Sequence, residues 1–75
     1  MNAKEARKLA MKALAEVIVG SPIIVSGPVT VADATALFKN TDGTWSVCDN
    51  GEEIVCHTEY ETVRIITENL YHPYR

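Results

Sequence analysis

Cys48, Cys56, His57 and His72 are the side chains of this sequence that first invite a chemical reading. Thiolate and imidazole together suit a zinc ion, and a cysteine near a histidine suits nucleophilic catalysis. The spacing, Cys-x7-Cys-His with a distant second histidine, matches no common zinc knuckle. Asp49, Glu52 and Glu53 cluster close by. Paired carboxylates do acid–base work only when burial in a cleft separates their acidities. Gly20, Gly27, Gly43 and Gly51 are isolated turn glycines, and none belongs to a Gly-rich loop running into a helix, so a phosphate cradle is not indicated.

Whether any of these groups can converge depends on the backbone that carries them. Asp49-Asn50-Gly51-Glu52 offers an Asn-Gly pair suited to a type I′ turn, which predicts a β-hairpin over residues 44 to 58. With Asn50 and Gly51 central, Val47 pairs with Ile54 and Trp45 with Cys56. Trp45, Val47, Ile54 and Cys56 then share one face, expected to be the core. Thr44, Ser46, Cys48, Glu53, Val55 and His57 share the other. Cys48 and Cys56 therefore point to opposite sides, which disfavours both a shared metal and an intrachain disulfide. Cys48 and His57 share a face but lie about 13 Å apart along the ladder, too far for proton transfer. A hairpin tip bearing Asp49, Glu52 and Glu53 is solvated rather than cleft-like. No catalytic residue, metal site or cofactor is expected.

The other elements are read from periodicity. Ala6, Leu9, Ala10, Ala13, Leu14, Val17 and Ile18 recur at helical spacing behind Asn2 and Glu5, a capping-box pair, and Gly20-Ser21-Pro22 is the expected stop. Ile23 to Val25 is a short β-type run. Residues 29 to 39 are ambiguous: Thr30 and Asp33 are able to open a helix, but the turn signal Asn40-Thr41-Asp42-Gly43-Thr44 favours a strand over roughly 34 to 39. That turn fits a type I turn with Gly43 as a left-handed bulge, or a two-residue Asp42-Gly43 turn. The two differ by one residue, and so disagree on whether Leu37 or Phe38 faces the core. Thr58 and Glu61 form a second capping box. Tyr60, Val63, Ile66 and Leu70 follow at helical spacing, with His72-Pro73 as the end, although the β-branched residues 62 to 67 also fit a strand.

The fold class expected is α+β: an N-terminal helix, a three- to four-stranded antiparallel sheet containing the hairpin, and a C-terminal helix, with both helices on one face. Seventy-five residues at 47% hydrophobic and 23% charged make one small domain rather than a disordered chain. Apolar runs such as Val17 to Val19 are far short of a membrane span and no signal peptide is indicated, so a cytoplasmic location with reduced thiols is the expectation. Net charge is −3, divided unevenly: residues 1 to 20 hold four basic against two acidic side chains, and residues 21 to 75 hold three against eight.

These features leave one surface of interest. If the helices cover the Trp45 face, the opposite face, with Cys48, Val55 and one of Leu37 or Phe38, is free to dock a partner, as is any unpaired edge strand. Cys48, Asp49, Glu52, Glu53, Val55 and His57 are the candidate partner-binding residues. The function expected is a non-enzymatic protein-binding module, an inhibitor or adaptor acting alone or as a homodimer. Its small size resembles that of products of phage or other mobile elements, an analogy only. The alternative is a nucleic-acid-binding module using Lys4, Arg7, Lys8 and Lys12 on the first helix, which the acidic hairpin tip opposes.

Overall fold

A computed structural model describes residues 2–26, 35–49 and 51–71. Helix α1 (Ala3–Glu16) is followed by strands β1 (Ile23–Val25), β2 (Thr35–Lys39), β3 (Trp45–Asp49) and β4 (Glu52–Cys56), then helix α2 (Glu59–Leu70). The strands form one antiparallel sheet in the order β1-β2-β3-β4. The α+β class is as expected, with four strands and with α2 packed against α1. Residues 35 to 39 are strand, so the helical reading of that stretch is overturned there; Thr30, Asp33 and Ala34, like His72 and Pro73, lie outside the described residues.

Each helix begins where its cap directs. The Asn2 side chain accepts the Glu5 N–H (2.8 Å), and the Thr58 hydroxyl accepts the Glu61 N–H (3.0 Å). Each such cap satisfies a backbone donor and is worth about 1 kcal/mol. The β-branched segment of α2 is helical despite its propensity, and two of its threonines turn back onto the helix. Thr62 and Thr67 hydroxyls donate to the carbonyls of Thr58 and Val63 (2.8 and 2.7 Å), which lets Thr62 be buried. Burial of Ile66 and Leu70 against α1 and the sheet outweighs the propensity cost.

Helix α1 ends earlier than its apolar pattern suggests. Val17 is already extended, and Ile18 and Val19 form isolated bridges to Ser21 and Lys39. Val17 to Val19 is therefore not helical, and Ile18, expected on the buried face, is exposed. Tyr60 is likewise exposed rather than core, because the buried stripe of α2 runs through Thr62, Ile66 and Leu70. What α1 does bury is Ala6, Ala10 and Ala13, small side chains that let the two helix backbones come close.

The turn between β2 and β3 settles the face of Leu37. The Gly43 N–H donates to Asn40 O (3.3 Å), the Asn40 N–H donates to Thr44 O (2.9 Å), and Gly43 has φ +89°. This is the type I turn with a left-handed glycine bulge, not the two-residue alternative. Lys39 then pairs with Trp45 and Leu37 with Val47. Leu37 is 0% exposed on the helix side, while Phe38 is 37% exposed on the other. The hydroxyl and backbone N–H of Thr44 both donate to Asp42, holding its carboxyl below the usual carboxylate range, with a smaller contribution from the nearby charge of His57.

The inner layer is Val25, Leu37, Val47 and Cys56 of the sheet against Ala6, Ala10, Ala13, Val17, Ile66 and Leu70 of the helices. Thr35 enters this core with its polar atoms satisfied: its hydroxyl donates to Cys48 O (3.1 Å) and accepts from the Asn69 side chain (3.3 Å). That contact ties α2 to the end of the β2–β3 ladder, where Ala36 pairs with Cys48. The core face is the one expected, but its cover is uneven. Trp45 packs against the core while half-buried, with the Lys39 ammonium 5.8 Å from its ring centroid, and Ile54, expected to be enclosed, is 43% exposed. Helix α2 lies mainly over β3, so an inward-pointing residue on the outermost strand is left uncovered.

Candidate docking face and free strand edge

Alternation along the observed registers places two cross-strand rows on the face away from the helices. One is Ile24–Ala36–Cys48–Glu53; the other is Phe38–Ser46–Val55. Ile24 and Val55 are 67% and 47% exposed, and with Phe38 they form the apolar part of this face. Ser46 between Phe38 and Val55 is buried, its hydroxyl accepting from the Asn40 side chain (3.0 Å). Bare sheet faces in small domains usually carry polar side chains, so a row of large apolar ones marks a surface suited to a partner.

Of the six residues singled out in the sequence, the structure brings Cys48, Glu53 and Val55 together on this outer face. His57 follows directly after β4, close enough to Asp42 for its charge to be felt there. Asp49 and Glu52 pair with one another at the hairpin tip and alternate to the other side. They border the face without lining it. Sequence reasoning missed Ile24 and left Phe38 undecided, since neither can be placed before the β1–β2 register and the bulge at Gly43 are known.

The hairpin register leaves Cys48 and Cys56 on opposite faces, as alternation requires, and both are free thiols. Among the described residues no three Cys, His, Asp or Glu side chains approach one another as metal ligands do. Burial, helped by the neighbouring Glu53 carboxylate, raises the pKa of the Cys48 thiol. Burial also raises that of Cys56, against a hydrogen bond with Thr62 and with Glu61 adding to the rise. Only the thiolate is nucleophilic, so both shifts work against thiol attack near neutral pH. Iodoacetamide is therefore expected to modify Cys48 more slowly than a free cysteine at pH 7.5, with the rate rising through the alkaline range. Glu53→Gln should speed the reaction, and Cys56 should react only after unfolding. Mass spectrometry over a time course checks all three; a Cys48 that outpaces free cysteine would contradict this reading.

The sheet also has an open edge. The two-residue loop makes Asp49 and Glu52 a hydrogen-bonded pair, so Ile54 and Cys56 direct their backbone groups toward β3. Glu53 and Val55 must then direct theirs outward. All of Glu52 to Val55 is exposed. The opposite edge is less available: β1 has three residues, Pro22 precedes it, and Val19 bridges to Lys39 beyond its end.

Between the helices lies a second feature, a shallow groove of about 360 Å³ lined by Arg7, Met11, Leu14, Tyr60 and Val63. It is the open seam where α1 and α2 meet, rimmed by both signs of charge. No helix of the described residues is long and apolar enough to cross a membrane. No family model, curated protein or solved structure matches this chain.

Proposed function

We propose that this chain is a small protein-binding module without catalytic activity, an inhibitor or adaptor that takes its partner on the open face of the sheet. The observation that carries this reading is the exposure of Ile24, Phe38 and Val55, from two adjacent cross-strand rows, on a face that no element of the described fold covers. Cys48 and Glu53 lie within the same face, and Asp49 and Glu52 extend an acidic border along the hairpin tip. Such a surface suits a partner that offers apolar side chains flanked by basic ones.

The test is Phe38→Asp. The side chain is outside the core, so circular dichroism and the thermal midpoint should change little. Partner capture from host lysate, and the affinity measured with the captured partner once purified, should fall by about 30-fold or more, as for a central interface residue. Unchanged affinity would remove the sheet face as the binding surface. The four basic residues of α1 are exposed and would be the surface for nucleic acid, but the acidic hairpin makes this the weaker reading. A gel shift at low salt separates the two.

A further inference from the structure

We infer that β4 pairs edge to edge with β4 of a second copy of this chain, antiparallel, with Val55 on the two-fold axis, to give one continuous sheet. The inference rests on the reading above, because it names one partner of the same surface. Joining the two sheets doubles the outer face that any further partner would meet.

Three observations select this occupant and this register. First, β4 is the longer open edge among the described residues, and its outward backbone groups belong to Glu53 and Val55; His57, where the chain bends just past the strand, is the next odd-numbered position. Only registers that pair these odd-numbered positions with one another make a ladder. Second, the three residues read acid, apolar, base along the strand, a pattern that complements itself when reversed. With Val55 on the axis, Val55 faces its own copy and each Glu53 faces the partner's His57 position. Centring on Glu53 would set two carboxylates directly across from each other. Centring on Ile54 would oppose Glu53 to Val55 and forfeit both matches. An imidazole facing a carboxylate can donate a hydrogen bond to it, whereas two facing carboxylates repel, so the side chains choose the register. Third, Ile54 is apolar, points to the helix side and is 43% exposed in the single chain. In this register it comes to lie across from Cys56 of the second copy, which extends the inner layer past the edge.

The ladder contributes about four hydrogen bonds. Val55 supplies two across the axis, and each Glu53 N–H reaches a His57 carbonyl. The His57 N–H is not available, since it donates to the Glu61 carboxylate of its own helix cap (3.1 Å). An interface this narrow belongs to the small, reversible class.

Sedimentation equilibrium over roughly 10 µM to 1 mM should show a monomer–dimer equilibrium in the range expected of small interfaces. Val55→Pro removes a donor that faces outward and takes no part in the β3 ladder, a position where an edge strand tolerates proline. It should leave a folded monomer. Glu53→Lys should weaken the dimer several-fold, and adding His57→Glu should restore it. In a Cys48→Ser background, Val55→Cys should oxidise to a covalent dimer, since facing residues of a hydrogen-bonded pair stand about 5.5 Å apart at Cα; Ile24→Cys should not. A strict monomer at 1 mM overturns the inference, as does a dimer indifferent to Val55→Pro or a Val55→Cys variant that cross-links no better than Ile24→Cys. If the chain is monomeric yet loses its partner on Phe38→Asp, the dimer fails and the docking face stands. If it dimerises while partner affinity ignores Phe38→Asp, the reverse holds.

Discussion

Truncating Leu37 to alanine is expected to cost about 2–5 kcal/mol, whereas the same truncation one residue later, at Phe38, should cost under about 1 kcal/mol. Leu37 is fully enclosed between α2 and the sheet, where removing its methyl groups leaves a cavity that the close-packed helices cannot fill. Phe38 is the larger side chain, and on hydrophobicity alone its loss would be the worse. It stands on the open face, paired across the ladder with Ser46, so truncation opens no enclosed void. A domain of this size shifts its midpoint by about 4–8 °C per kcal/mol, so Leu37→Ala should melt some tens of degrees lower or fail to fold. Thermal unfolding followed by circular dichroism reads the contrast. Equal losses at the two positions would mean that the bulge at Gly43 is wrongly placed.

The second large effect concerns the seam between the helices. Ala6, Ala10 and Ala13 are buried in the core that α1 shares with α2 and the sheet, and the helix backbones approach closely because these side chains are single methyl groups. Ala10→Leu would lower local helix propensity only slightly, but would drive three extra carbons into a filled interface. The expected loss is about 1–3 kcal/mol, from helix displacement or strained rotamers. Ala3→Leu, at the exposed start of the same helix, should stay within about 0.5 kcal/mol. Urea unfolding distinguishes the two by midpoint, with an unchanged slope indicating that the native and unfolded states keep their character. A neutral Ala10→Leu would show that the helices are not held this close.

Much of this fold is legible from residue types, and the illegible parts share a cause. The Asn50-Gly51 loop fixes the β3–β4 register by itself, and the capping residues Asn2 and Thr58 mark both helix starts, because each of these signals is local. Leu37 and Phe38 could not be ordered, since two turns that differ by one residue both suit Asn40 to Thr44. What decides is a pair of hydrogen bonds between Asn40 and its neighbours Gly43 and Thr44. Ile18, Ile54 and Tyr60 were expected inside and lie outside. Periodicity reports which side of an element a residue occupies, but not how far the covering layer extends. Ile54 has the right side and no cover, as the last strand of a sheet wider than the helix above it. Thr35 and Thr62 err in the opposite sense. They are polar by composition and buried in fact, because Asn69, Cys48 O and Thr58 O satisfy their hydroxyls.

The docking face was half legible for the same reason. Cys48, Glu53 and Val55 follow from the local hairpin register. Phe38 and Ile24, the residues that make the face apolar enough to matter, depend on two further registers, one of them across a connection with no turn signal of its own. A partner leaves no local signal at all in the chain that binds it, so its identity has to be approached through the surface.

The most direct measurement places a photoactivatable phenylalanine analogue at position 38, and separately at Tyr60 in the groove between the helices, in the living host. Cross-linked products are then identified by mass spectrometry. The account predicts discrete adducts from position 38, competed by the purified partner and lost when Val55→Asp is added, with little or nothing from position 60. Adducts from position 60 alone, or none from position 38 above those of an unfolded control, would contradict it.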